Sequence, residues 1–177
     1  MRALFEEVEV PVLKRIMDVN FWGTVYCTKS ALPYIRESKG TIVGISSIAG
    51  FHGLPGRSAY SASKFAMHGF LESIRIENMH RGLHVLVLAA SFTASNIRRN
   101  ALDANGNMQG ETPRREEQLT SPERVAKNVL RSIRKKKRNR IMTLEGQLMV
   151  FFQRISPMVT DYVIFRKFKR EPNSPIK

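Results

Sequence analysis

Three side chains in this chain have the types and the spacing to move a proton: Ser47, Tyr60 and Lys64, within the stretch SSIAGFHGLPGRSAYSASK that runs from Ser46 to Lys64. A free phenol has a pKa of about 10 and is a poor acid or base near neutrality. An ammonium within about 4–6 Å favours the phenolate and lowers that value by about 1–3 units. Tyr60 can then exchange a proton with an alcohol or ketone oxygen, and Ser47 can hydrogen-bond the same oxygen and hold it in place. Taken alone, a Tyr and a Lys at this spacing also describe two surface neighbours. The serine pair thirteen residues upstream, at the end of an apolar run, favours the chemical reading.

The elements that must position these groups are readable. Thr41-Ile-Val-Gly-Ile45 is a continuous apolar run and reads as a buried strand ending in Ser46-Ser47. A Gly/Pro-rich loop follows. Tyr60-Ser-Ala-Ser-Lys64 then opens a helical pattern over residues 58–80, with Ser58 as the expected cap and Gly82 as the stop. Residues four apart share one helix face, which brings Tyr60 and Lys64 together. Leu83–Ala89 is a second buried strand, and the helix between the two makes a right-handed βαβ crossover. Ligands of such open α/β sheets sit at the carboxyl ends of the strands, where Ser47 falls.

With Asn20 in VNFWG, the residues Ser47, Tyr60 and Lys64 resemble the catalytic tetrad of the short-chain dehydrogenase/reductase family, and ISSIAG matches around the serine. The similarity runs well from Val10 to Leu102 and more loosely to Leu144. It implies a Rossmann-like parallel sheet with flanking helices. It also implies hydride exchange between NAD or NADP and a carbonyl or secondary alcohol. Tyr60 would be the acid/base and Ser47 the group orienting the carbonyl. Lys64 would lower the tyrosine pKa and bind the nicotinamide ribose, and Asn20 would hold the water of a proton relay. Thr93 and Ser95 occupy the positions that contact the cofactor after the second strand, where the family's Pro-Gly is replaced by Ala90-Ser91. A Ser in place of Gly matters if that position needs a positive φ.

The resemblance also implies what lies outside these residues. No Gly-rich turn of the TGxxxGxG type occurs in the chain, which reads as the second half of such an enzyme with the N-terminal βαβ half missing. A truncated gene, a misassigned start and a genuine separate fragment are all open. So is a non-catalytic relative that serves only as a subunit partner. The family commonly pairs two helices across a dimer interface, which here implies a homo-oligomer through helices 11–36 and 58–80. Apolar residues on more than one face of the second helix agree with that.

Residues 11–36 carry apolar side chains at three- and four-residue intervals, one amphipathic helix with Pro11 in its first turn and a break expected at Pro33. Residues 96–120 are polar and turn-rich, either a substrate lid or an ordinary mobile loop. Ser121-Pro122-Glu123 starts a helix that ends in the basic cluster Arg134–Arg140, and Ile141–Leu144 reads as the last strand. Residues 1–144 thus form the dehydrogenase-like part. Residues 145–177 form an apolar and basic helical extension, with a loose tail expected from Glu171 onwards. The extension either covers the substrate pocket, favouring a lipophilic substrate, or lies on an anionic membrane surface.

Composition sets the outer limits. The chain has 177 residues, 42% hydrophobic and 25% charged, as expected of one globular domain. Its single cysteine, Cys27, excludes an internal disulfide and fits the cytoplasm. Four histidines with no paired spacing make a zinc site improbable. The net charge of +14 is uneven: residues 1–110 hold 12 basic and 8 acidic side chains, and residues 111–177 hold 17 and 7. The basic cluster lacks interleaved aromatics and any helix-turn-helix or finger pattern, so no nucleic-acid partner is expected.

Overall fold

In the computed structural model the two apolar runs become adjacent parallel strands. Residues 1–110, 119–172 and 174–176 are described. Strand β1 (Thr41–Ser46) pairs with β2 (His84–Ala89) in register from Thr41 opposite His84 to Ser46 opposite Ala89. Strand β3 (Asn139–Ile141) pairs in parallel with the other edge of β2, giving the order β1-β2-β3. Five of the six β2 residues are buried, as a strand covered on both faces requires. The result is a Rossmann-like parallel sheet with flanking helices.

The helices before β1 differ from a single amphipathic rod. Helix α1 (Val10–Met17) runs through a five-residue π turn, Asp18–Trp22, into α2 (Gly23–Glu37). The irregularity lies at Asn20 and not at Pro33, which α2 passes without a break. Pro33 is exposed, so the carbonyl it leaves unpaired meets solvent. At Asn20 the side chain is engaged across the fold and the carbonyl accepts from the Thr24 hydroxyl.

Helix α3 (Ser58–Glu77) crosses from β1 to β2, with Arg57 at its cap and Ser58 as its first residue. It packs on the sheet through Met67 and Leu71, in a cluster with Leu83, Val85 and Val87. Close approach is possible because β1 carries Gly44: a Cβ there would lie 2.3 Å from Cδ1 of the fully buried Leu71. This contact sets how near α3 stands to β1, and so where Tyr60 and Lys64 meet Ser47. A second cluster joins Val8, Val12, Ile16 and Ala59 to Leu102, fastening the loop after β2 over α1.

Helix α4 (Pro122–Arg134) starts as expected, with the Ser121 hydroxyl accepting from the Arg124 N–H. Strand β3 begins two residues earlier than the apolar pattern suggests and ends at Ile141. Thr143 is drawn into the next element, where its hydroxyl caps helix α5 (Leu144–Ile155) by accepting from the Gly146 N–H. Helix α6 (Pro157–Lys169) folds back beside α5 after Ser156. The tail is not loose where it is described: Glu171 pairs with Arg57 at 2.8 Å, and both side chains are largely buried.

Candidate active site

Ser47 is placed by the end of β1. Its backbone is extended, and its hydroxyl accepts from the Ala49 N–H at 3.3 Å, capping a short 3-10 turn over Ile48–Gly50. Ser46 beside it is buried and meets His68 Nε2 at 2.6 Å. Tyr60 and Lys64 come from the first two turns of α3, on the face turned to the strand end. The Lys64 ammonium donates to the Ile45 carbonyl at 3.0 Å and stands 5.8 Å from the centre of the Tyr60 ring. One of its three donors is thereby used, which fixes the stem and leaves two for a ligand.

Asn20 reaches the same cluster from the π turn. Its Nδ2 donates to the Ser63 hydroxyl at 3.0 Å, and that hydroxyl donates to the Tyr60 carbonyl at 2.8 Å. Ser63 is fully buried, so this relay ties the helix pair α1–α2 to the start of α3. A π turn widens the backbone ring and frees a carbonyl from its usual partner, and such turns recur at functional sites. The four residues of the sequence motif are therefore gathered in one place.

They open on one cavity of about 760 Å³. Ile16, Val19, Ile48, Ile97, Leu102 and Phe168 make much of its wall apolar. Its charged lining is lopsided: Arg2, Arg15, Arg57, Lys64, Arg98 and Lys167 against Glu145 as the only acid among the described lining residues. Thr93 and Ser95 also line it, on the loop after β2. The Thr93 hydroxyl donates to the Ser91 carbonyl at 2.9 Å, and Thr93 bridges to Thr120.

Ser91 relieves the concern raised by the altered Pro-Gly. Among the described residues the non-glycine positions with positive φ are Lys39 and Lys136, so Ser91 needs no left-handed backbone. Its hydroxyl donates to Thr120 Oγ1 at 2.6 Å and closes the base of the 96–120 loop. Arg98, within that loop, donates to the Thr93 carbonyl at 3.1 Å. Residues 111–118, including the Thr112-Pro113 breaker, lie outside the described residues.

The electrostatics depart from the expectation in one respect. Burial raises the Tyr60 pKa above its ordinary value, against the hydrogen bond from Ser47 and the positive field of Arg57, both of which lower it. Lys64 is not what sets the direction; its own pKa is lowered by burial. Arg57 was missed from the sequence. It sits just ahead of α3, stacks its guanidinium 4.5 Å from the Phe168 ring and pairs with Glu171. Its partners are over 110 residues away in the chain, so no local pattern could have shown it. His68 was likewise unmarked, because its role depends on facing Ser46 across the sheet surface.

A parallel sheet with a Ser–Tyr–Lys cluster at the carboxyl end of one strand and on the helix that follows defines a Rossmann-like class of α/β protein. A family model described as short chain dehydrogenase matches residues 1–106, and the chain belongs to this family. It is 31% identical to mouse "Dehydrogenase/reductase SDR family member 7B" over 98% of this chain and 54% of that protein. It is 40% identical to the Arabidopsis thaliana "11-beta-hydroxysteroid dehydrogenase 1A" over 54% of this chain and 27% of that protein. In fold it is similar to a short chain dehydrogenase from Burkholderia cenocepacia in complex with NADP, with a TM-score of 0.75 at 18% identity, covering 93% of this chain and 63% of that one. The chain spans about half the length of the curated relatives it matches.

Proposed function

We propose that this chain carries the catalytic part of an NAD(P)-dependent oxidoreductase that interconverts a carbonyl and a secondary alcohol. The observation that carries the reading is that Asn20, Ser47, Tyr60 and Lys64 all line a single cavity at the carboxyl end of β1. The residues present fit the nicotinamide–ribose end of a dinucleotide. Lys64 has two donors to spare for ribose hydroxyls, Thr93 and Ser95 supply polar groups on the loop, and the surplus of cations suits phosphate. The bound nicotinamide would supply or accept the hydride. Ser47 donates a hydrogen bond to the substrate oxygen and holds it beside Tyr60. Tyr60, kept protonated at neutral pH by burial, donates its phenolic proton to that oxygen in reduction. In the reverse direction Ser47 and Arg57 stabilise the phenolate that must accept it. Asn20 fixes the first turn of α3 through Ser63 and would hold the water of a proton relay.

The apolar cavity wall supports a lipophilic substrate. Exposed Trp22 and Tyr26 on the first helix pair, with Phe65 and Ile76 on α3, support a homo-oligomer through those helices. Replacing Tyr60 with Phe removes the transferable proton with little change in volume. Turnover should fall by a factor of about 10²–10⁴ with the far-ultraviolet circular dichroism unchanged. Activity retained in that variant would remove Tyr60 from the mechanism.

A second reading is a non-catalytic member acting as a subunit partner. Its support is that no Gly-rich pyrophosphate turn occurs within the 177 residues, so these residues hold a dinucleotide by one end only. Absence of any saturable cofactor signal from the folded chain would favour it.

A further inference from the structure

The α5–α6 hairpin exposes more apolar surface than a solvated element should. On α5, Leu144, Leu148, Phe151 and Ile155 follow the spacing i, i+4, i+7, i+11 and form one stripe, 47% to 71% exposed. Phe152 stands beside it, 49% exposed. On α6 the inner face is buried through Thr160, Ile164 and Phe168, while Met158, Val159, Tyr162 and Val163 face outwards. The two outward faces meet at Ser156 and form an apolar tip. A soluble monomer seldom leaves such a patch uncovered.

Charge says what covers it. Towards the end of α6 the outward face turns basic, with Arg166 stacked 5.5 Å from the Tyr162 ring and Lys169 standing 6.0 Å from the Phe165 ring. Arg154 and Arg170 are exposed nearby. Of the hairpin's two acids, Glu145 pairs with Lys167, and Asp161 lies 3.4 Å from Nε2 of the buried His52. An apolar tip with a cationic, aromatic-interleaved collar matches a surface that is greasy within and negative at its rim. A second copy does not match, because a two-fold contact through this face would set its cations against their own kind.

We infer that the outer face of the α5–α6 hairpin seats this chain on an anionic lipid surface, with the apolar tip in the acyl boundary and the Arg166–Arg170 collar among the headgroups. No helix among the described residues is long and apolar enough to cross a membrane, and the proposed contact lies along the hairpin's surface. Buried apolar area and attraction to anionic headgroups then act together. The same hairpin walls the cavity from inside through Gly146, Met149, Lys167 and Phe168. A lipophilic compound dissolved in the bilayer thus needs to cross only one helical layer to reach Tyr60.

The test is co-sedimentation of the 177-residue chain with vesicles of phosphatidylcholine, with and without phosphatidylserine. The chain should bind the phosphatidylserine vesicles, and added salt should weaken that binding. The pair Phe151→Glu and Ile155→Glu should reduce it at least tenfold. The set Arg166→Glu, Lys169→Glu and Arg170→Glu should reduce it roughly a hundredfold or more. All these side chains are exposed, and circular dichroism checks that each variant folds. Failure of the folded, unmodified chain to bind either vesicle would overturn the inference. So would binding that survives both sets of changes, or a chain that dimerises through this face and ignores lipid. None of these results depends on cofactor binding or turnover.

Discussion

His68 should make this protein sensitive to mild acid. Its Nε2 meets the Ser46 hydroxyl at 2.6 Å, and its ring packs edge-on against Phe51 at 4.5 Å. A Cβ on Gly50 would lie 2.6 Å from the same nitrogen, so that side is closed as well. Burial, first, and then the Lys64 ammonium lower the His68 pKa to about 4 from 6.5; Glu72 opposes the shift and Arg75 adds to it. The folded value lies below the unfolded one, so the unfolded chain binds the proton more tightly. Stability on this account is full above about pH 6.5 and is lost as the pH falls towards 4. Between pH 7 and 4.5 the full shift corresponds to about 2.4 kcal/mol at 1.36 kcal/mol per unit. Solvent reaches part of the ring and screens the charge, so about 1 kcal/mol is expected. The assay is urea unfolding at pH 7 and pH 4.5 of the unmodified chain and of His68→Phe, since other carboxylates titrate alike in both and cancel. At pH 7 the variant should be less stable by about 1 kcal/mol, the worth of one hydrogen bond, and at pH 4.5 that gap should close. An equal loss with acid in both proteins would refute the argument. Because Ser46 adjoins Ser47, acid should also blunt any turnover that depends on the strand end.

Other outcomes follow from single contacts. Ser63→Ala leaves the Asn20 amide without its partner and cuts the link to Tyr60; the chain should lose about 1–2 kcal/mol and melt a few degrees lower. Gly44→Ala forces its Cβ against the enclosed Leu71. The cost should be about 1–3 kcal/mol by denaturant unfolding, and a neutral result would mean that α3 can move away from β1 freely. Glu171→Gln breaks the largely buried pair with Arg57. It should cost about 2 kcal/mol, less than the ~3–5 of a fully buried pair, because Arg57 keeps its contact with Phe168.

What was legible in the sequence was the part written in local pattern. Continuous apolar runs marked β1 and β2 to within a residue, and the spacing of Tyr60 and Lys64 on one helix face put both at the strand end. Features set by distant contacts were not legible. The π turn at Asn20 reflects its bond to Ser63 on another helix, whereas Pro33, a strong local breaker, is tolerated because it faces solvent. The third strand was placed too late because Thr143 is apolar enough in context to extend a strand but is used as a helix cap. Arg57 and Glu171 meet across 114 residues, and the tail they anchor looks disordered by composition. Of the site residues, Asn20 was found through the family resemblance alone; its own helix pattern offers nothing chemical.

The most direct test of the central claim is a fluorescence titration of the folded chain with NADH and with NADPH, alongside Lys64→Ala. At least one of the two should bind saturably, and the variant should lose tenfold or more, since Lys64 keeps two donors beyond the one given to the Ile45 carbonyl. No saturable signal from either cofactor, or binding that ignores Lys64→Ala, would contradict it. The cavity at Tyr60 would then not be a nicotinamide site in this chain.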